Sequence, residues 1–170
     1  DDGGLIMFPK DTLMKAQKLL EACKTGGLHV ATVESCTGGL ISGCLTAVPG
    51  SSDVVDRTFV TYTNEAKTEM VGVPTVLFDK VGAVSEEVAR AMAEGALDNS
   101  NAEVSGSVTG IAGPGGGSDD KPVGLVHMAA ARKGYETEHL RYVFEGDRDS
   151  VRLQAVGTVI DLMRRQAELP

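Results

Sequence analysis

The sequence has no tryptophan and only three histidines. Its cysteines, Cys23, Cys36 and Cys44, are odd in number and lack CxxC spacing. That pattern argues against a disulfide framework and against a zinc site, and reduced thiols suit a cytoplasmic protein. Lys and Arg form no block, and 16 of them face 24 acidic residues for a net charge of −8, so no nucleic-acid partner is expected. An anionic small molecule stays compatible with this charge, because a few local donors can hold one. No apolar run approaches the roughly 20 residues of a membrane span, so no membrane partner is expected either. The start, DDGGLIMFPK, is acidic with a short apolar run. It is expected to be an N-terminal tail over residues 1–10 and not a signal peptide.

What the chain does have is glycine, 21 residues in 170. Its length and ordinary apolar content predict one domain, over residues 11–167, with a proper core. Residues 11–25 carry apolar positions at helical spacing and end at Gly26-Gly27. LHVATV (28–33) reads as a strand buried on both faces. LISGCLTAV (40–48) reads as a helix, RTFVTY (57–62) as a strand, and Asn64 as the cap of the next helix. A connecting loop with one helical turn is expected before a helix from Ser85 to about Asn99. EVSGSVTG (103–110) is a third strand, and residues 123–132 and 137–144 flank KGYE as a hairpin. A final helix starts near Asp147. The alternation predicts an α/β fold: a three-layer α-β-α domain with a mixed, mostly parallel sheet and a C-terminal hairpin and helix.

In such sheets ligands collect beyond the carboxyl ends of the parallel strands. Three polar clusters fall there: ESCTGG, YTNEAK and TGIAGPGGGS. In the first, Ser35, Cys36 and Thr37 are each candidate nucleophiles. Capping is the commonest use of Ser or Thr before a helix. A strand-to-helix corner can also carry a nucleophile, with free N–H groups of the first helical turn for an oxyanion or phosphate and Gly38 and Gly39 allowing close approach. Lys67, in the second cluster, is a surface lysine on the plain reading. As a base it needs a pKa lowered by about three units, or roughly 4 kcal/mol, which a helix dipole of about 0.3–1 kcal/mol cannot supply and burial would have to. Tyr62 is a core-edge residue or a proton relay. In the third cluster Thr109 ends a strand, Gly110 leaves room beside it, and the Walker A pattern is not met. His29, His127 and His139 fall on strands away from these clusters, and no residue group has metal-ligand spacing. The chemistry left for Ser35 is activation by lysine.

ESCTGG, FVTYTNEAK, GAVSEEV, TGIAGPGGGSDDKPVG and GDRDSVRLQA, in that order, resemble the motifs of the CinA C-terminal domain family. The likeness is to its stand-alone nicotinamide-nucleotide amidases, and it runs from about residue 11 to 165. The resemblance implies hydrolysis of nicotinamide mononucleotide (NMN) to nicotinic acid mononucleotide and ammonia, recycling pyridine nucleotides for NAD synthesis. It implies Ser35 as nucleophile, Lys67 as general base, and Tyr62 and Thr109 as further catalytic-site residues. Arg148 is implied as a substrate contact, and Arg152, four residues on and on the same helix face, is expected as a second substrate-binding donor for the 5′-phosphate. Cys36, Thr37, Gly38, Gly39 and Gly110 are expected to line the substrate, with N–H groups from Cys36 to Gly39 as the oxyanion hole and Thr37 as the helix cap. No metal or organic cofactor is expected, and the small size together with the family likeness implies a homo-oligomer.

Overall fold

The computed structural model describes residues 7–170, so the first six residues of the expected 1–10 tail lie outside the described residues. The elements run α1 (Lys10–Gly26), β1 (Val30–Glu34), α2 (Leu40–Thr46), β2 (Val55–Val60), α3 (Asn64–Val71), α4 (Val76–Lys80), α5 (Glu86–Asp98), β3 (Val104–Gly110), β4 (Leu125–Arg132), β5 (Glu138–Val143) and α6 (Arg148–Ala167). The five strands form one sheet in the order β2-β1-β3-β4-β5. β2, β1 and β3 pair in parallel, whereas β4 is antiparallel to both β3 and β5, so it alone runs against the others. The expected three-layer, mostly parallel architecture is therefore the one observed.

Two apolar cores separate the layers. Alternation along β1 sends Val30 to one side, with Leu19, Ile41, Val156 and Ile160 of α1, α2 and α6. It sends Ala31 and Val33 to the other, with Val71 of α3 and Val88, Met92 and Ala96 of α5. All five residues of β1 are buried, as the continuous apolar run predicts. Gly95 sets the distance between α3 and α5: a Cβ there would lie 1.9 Å from the Val71 carbonyl oxygen.

Three local expectations are corrected. α3 is capped by Thr63, whose hydroxyl accepts the Ala66 N–H, and not by Asn64. α2 is not capped by Thr37. Its N-cap position is Gly39, which has no side chain to offer, and the buried carboxylate of Glu34 serves instead. β2 also ends at Val60, which leaves Tyr62 beyond the strand and not on it.

β1 leads through α2 to β2 on one side, while β3 lies on the other. The carboxyl ends of β1 and β3 are thus a topological switch point, the place where open α/β sheets bind ligands.

Candidate active site

The strand β1 ends in a carboxylate that organises everything after it. Glu34 is wholly buried. One of its oxygens accepts the Thr37 hydroxyl at 2.7 Å and the Gly39 and Ile41 N–H groups at 3.1 and 2.9 Å. The other accepts the Thr32 and Thr58 hydroxyls and the Ser42 N–H. Between this carboxylate and α2 the chain makes a tight turn, with the Gly38 N–H donating to the Ser35 carbonyl. Gly38 and Gly39 take φ of +58° and +105°, values that side-chain-bearing residues avoid.

Alternation puts Ser35 on the opposite face from Glu34, toward α3. There the Lys67 Nζ lies 3.0 Å from Ser35 Oγ, 2.8 Å from the Thr61 carbonyl oxygen and 3.3 Å from that of Tyr62. The lysine side chain is only 1% exposed. Burial away from water lowers its pKa from 10.5 to about 8, opposed in part by the nearby Cys36. The requirement for burial that the sequence left open is met. A neutral amine here keeps two N–H bonds to the two carbonyls, which turns its lone pair toward the serine hydroxyl.

Cys36, the intrinsically better nucleophile, has no such partner. Burial raises its thiol to about 11, beyond the help of Arg152. Thr37 is held by Glu34. Of the three neighbours only Ser35 touches a base.

A cleft of about 230 Å³ opens beside the pair. Its walls are Cys36, Tyr62, Arg148 and the glycine-rich segment from Gly110 to Gly116. All three polar clusters therefore meet at one place, joined by the first residue of α6. Ser35 and Lys67 are not on those walls; Ser35 is 9% exposed and precedes Cys36, which is on them. The Tyr62 ring is 60% exposed, and among the described residues its hydroxyl bonds to neither Ser35 nor Lys67. Thr109 pairs with His127 on β4 and has its hydroxyl on the Ala83 carbonyl at 3.0 Å, on the same face of the sheet as Ser35. Arg148 donates to the Gly113 carbonyl at 2.7 Å, fastening the glycine-rich segment to α6. Arg152 is not among the cleft-lining residues; its Nε donates to the Cys36 carbonyl at 3.0 Å and its Nη2 to that of Thr37 at 3.4 Å.

The expected oxyanion hole is narrowed. The Gly38 and Gly39 N–H groups are engaged by Ser35 and Glu34. Among the described residues, those of Cys36 and Thr37 have no partner in another residue.

Two participants went unrecognised in the sequence. Glu34 stood in plain view within ESCTGG, and a carboxylate followed by a glycine pair and a helix could have been read as a cap. Thr61, whose carbonyl oxygen accepts from Lys67, has a buried hydroxyl without a partner among the described residues. It lies within FVTYTNEAK, but no role was assigned to it there. No three His, Cys, Asp or Glu side chains gather as a metal site among the described residues.

A family model, the CinA C-terminal domain, matches residues 13–167. The chain belongs to the CinA C-terminal domain family. CinA-like proteins of Geobacter sulfurreducens and Akkermansia muciniphila are 50% and 49% identical to it over 141 and 143 residues. Each match covers 82% of this chain and 34% of the relative, so the chain spans about a third of the length of these curated relatives. The crystal structure of competence/damage inducible protein CihA from Agrobacterium tumefaciens superposes with a TM-score of 0.93 at 46% identity, over 97% of this chain and 100% of that one. The CinA-superfamily protein of Escherichia coli gives 0.87 at 32% identity, over 97% and 95%. Within this CinA fold no helix among the described residues is long and apolar enough to cross a membrane.

Proposed function

We propose that this CinA-family domain is an amidohydrolase that converts NMN and water to nicotinic acid mononucleotide and ammonia, with Ser35 as nucleophile and Lys67 as base. The observation that carries the reading is the buried Lys67 amine, 3.0 Å from Ser35 Oγ and oriented by two backbone carbonyls. A buried amine with a lowered pKa beside a hydroxyl in a cleft is the arrangement serine activation requires.

Neutral Lys67 takes the Ser35 proton as Oγ bonds to the carboxamide carbon, and the C=O electron pair moves onto oxygen. The N–H groups of Cys36 and Thr37 receive that charge. When the pair returns, the C–N bond breaks and Lys67 delivers its proton to the departing nitrogen as ammonia. Water adds to the resulting ester with its proton passing to Lys67. That proton then returns to Ser35 as the ester bond breaks, leaving the acid.

Tyr62, exposed on the cleft wall, offers a π-face to the cationic pyridinium ring of NMN. Arg148 and the N–H groups of Gly115 and Gly116, which have no partner among the described residues, supply donors for the 5′-phosphate in an otherwise acidic molecule.

The test is ammonia release from NMN by wild type, Ser35→Ala and Lys67→Ala, with nicotinamide, its riboside and NAD as competing substrates. We expect turnover of NMN in preference to the others, its loss in both variants, and retained NMN binding in Ser35→Ala. Binding without ammonia release by wild type would point to a nucleotide-binding module. Full activity in Ser35→Ala would reassign the nucleophile, and alkylation that silences wild type but spares Cys36→Ser would name Cys36.

A further inference from the structure

Arg152 sits one helical turn after Arg148, yet it is not among the residues that line the substrate cleft. Its two bonded carbonyls belong to the peptide units that follow Cys36 and Thr37. In a trans peptide the carbonyl and the N–H point in opposite directions. A guanidinium that draws the Cys36 carbonyl to itself therefore aims the Thr37 N–H the other way. The preceding unit is fixed likewise, because the Ser35 carbonyl accepts from Gly38 and so orients the Cys36 N–H. Among the described residues, these two amides of the corner have no partner in another residue. From beneath, the Glu34 carboxylate holds the Thr37 side chain and the next free amides, those of Gly39, Ile41 and Ser42. The corner is thus gripped on both sides by opposite charges that never touch each other in the bonds they make.

We propose that Arg152 is a positioning residue for the oxyanion hole: it orients and polarises the Cys36–Thr37 peptide so that its N–H meets the charge developing on the substrate oxygen. A cation on a carbonyl oxygen withdraws electron density across the amide and strengthens the same amide as a donor. The effect appears when negative charge forms in the transition state and is small for a neutral carboxamide in the ground state. This inference rests on the Ser35 amidase reading and separates Arg152 from Arg148, which stands on the cleft wall.

The test compares Arg152→Gln, Arg152→Lys and Arg148→Gln with wild type, measuring kcat and KM for NMN and for nicotinamide riboside. A second measurement is the affinity for the pyridine-3-carboxaldehyde analogue of NMN. Its carbonyl adds the Ser35 hydroxyl to form a hemiacetal, with the hydroxyl proton returned to the former carbonyl oxygen. For Arg152→Gln we expect kcat to fall about 10–100-fold with KM nearly unchanged. The NMN-to-riboside preference should persist, and the aldehyde should bind more weakly while NMN binding to a Ser35→Ala background does not change. Arg152→Lys keeps the charge but cannot span both carbonyls, so it should fall between wild type and Gln, and it serves should the Gln variant not fold. Arg148→Gln should instead raise KM and erode the NMN preference. A raised KM with a lost NMN preference in the Arg152 variants would overturn the proposal and make Arg152 a phosphate ligand. A wild type that releases no ammonia would overturn the amidase reading and this inference with it.

Discussion

Lys67 is the residue on which the chemistry turns, and its protonation has two measurable signatures. Activity needs the neutral amine, so kcat/KM for NMN should rise with pH along a limb centred near 8, the value burial gives this lysine. A flat profile between pH 6.5 and 9 would remove it as the base. Stability carries the same number. The folded pKa lies below the unfolded value of 10.5, so between about 8 and 10.5 the unfolded chain binds more protons than the folded one. Wild type should therefore gain about 3 kcal/mol relative to Lys67→Met as pH rises through that window, read by urea denaturation at pH 7 and pH 10. Much of this was legible beforehand. The need for burial could be stated from the motif and the dipole magnitude. What the sequence could not reveal is that two carbonyls of the chain just before α3 would hold the amine, because these bonds involve no side-chain identity.

At the scale of elements, β1, the corner and α2 are one unit built on Glu34. The helix is short and its N-cap residue is a glycine, so its leading amides depend on a carboxylate from the preceding strand. Glu34→Gln replaces an acceptor oxygen with a donor among donors, and we expect a loss of about 3–5 kcal/mol in a denaturant titration. A loss below about 1 kcal/mol would mean that water replaces the lost bonds. The capping role was misassigned to Thr37 because a hydroxyl close before a helix is a strong local signal, whereas Glu34 stands just after the run read as strand and several residues before the helix. The hairpin offers a second prediction. His127 and His139 stand on β4 and β5 with ring nitrogens 2.9 Å apart. Burial first, then the His139, Arg141 and Lys121 charges, lowers His127 to about 4, with Glu86 opposing. Stability should fall as pH drops from 6.5 to 4, by about 3 kcal/mol when complete, since the unfolded imidazole takes up a proton the folded one refuses. His127→Gln should flatten that part of the curve.

On the scale of the whole molecule, the site is assembled from both layers: the serine hangs from the sheet and the lysine from a helix laid across it. Their separation is governed by how α3 rests on α5. Ala is favoured over Gly inside a helix by about 1 kcal/mol. At position 95 the added carbon would meet the Val71 oxygen at 1.9 Å, and such overpacking costs about 1–3 kcal/mol. We expect Gly95→Ala to lose stability and to slow ammonia release by shifting α3, although the residue is remote from the cleft. A variant more stable than wild type at full activity would show the spacing to be soft. The layered fold itself followed from the alternation of elements, and the meeting of three clusters followed from the rule about strand ends. The helix spacing did not, because a glycine within EEVARAMAEGALD gives no sign of what will approach it.

The Gly95 contact has a consequence for how such a protein ages under mutation. Where side chain meets side chain, successive substitutions can nudge two helices apart by fractions of an ångström, each step tolerated. Here main chain meets a position with no side chain to exchange. The reach from amine to hydroxyl is thereby shielded from the slow drift that reshapes ordinary cores, and a change at this position arrives as a single coarse jump or not at all.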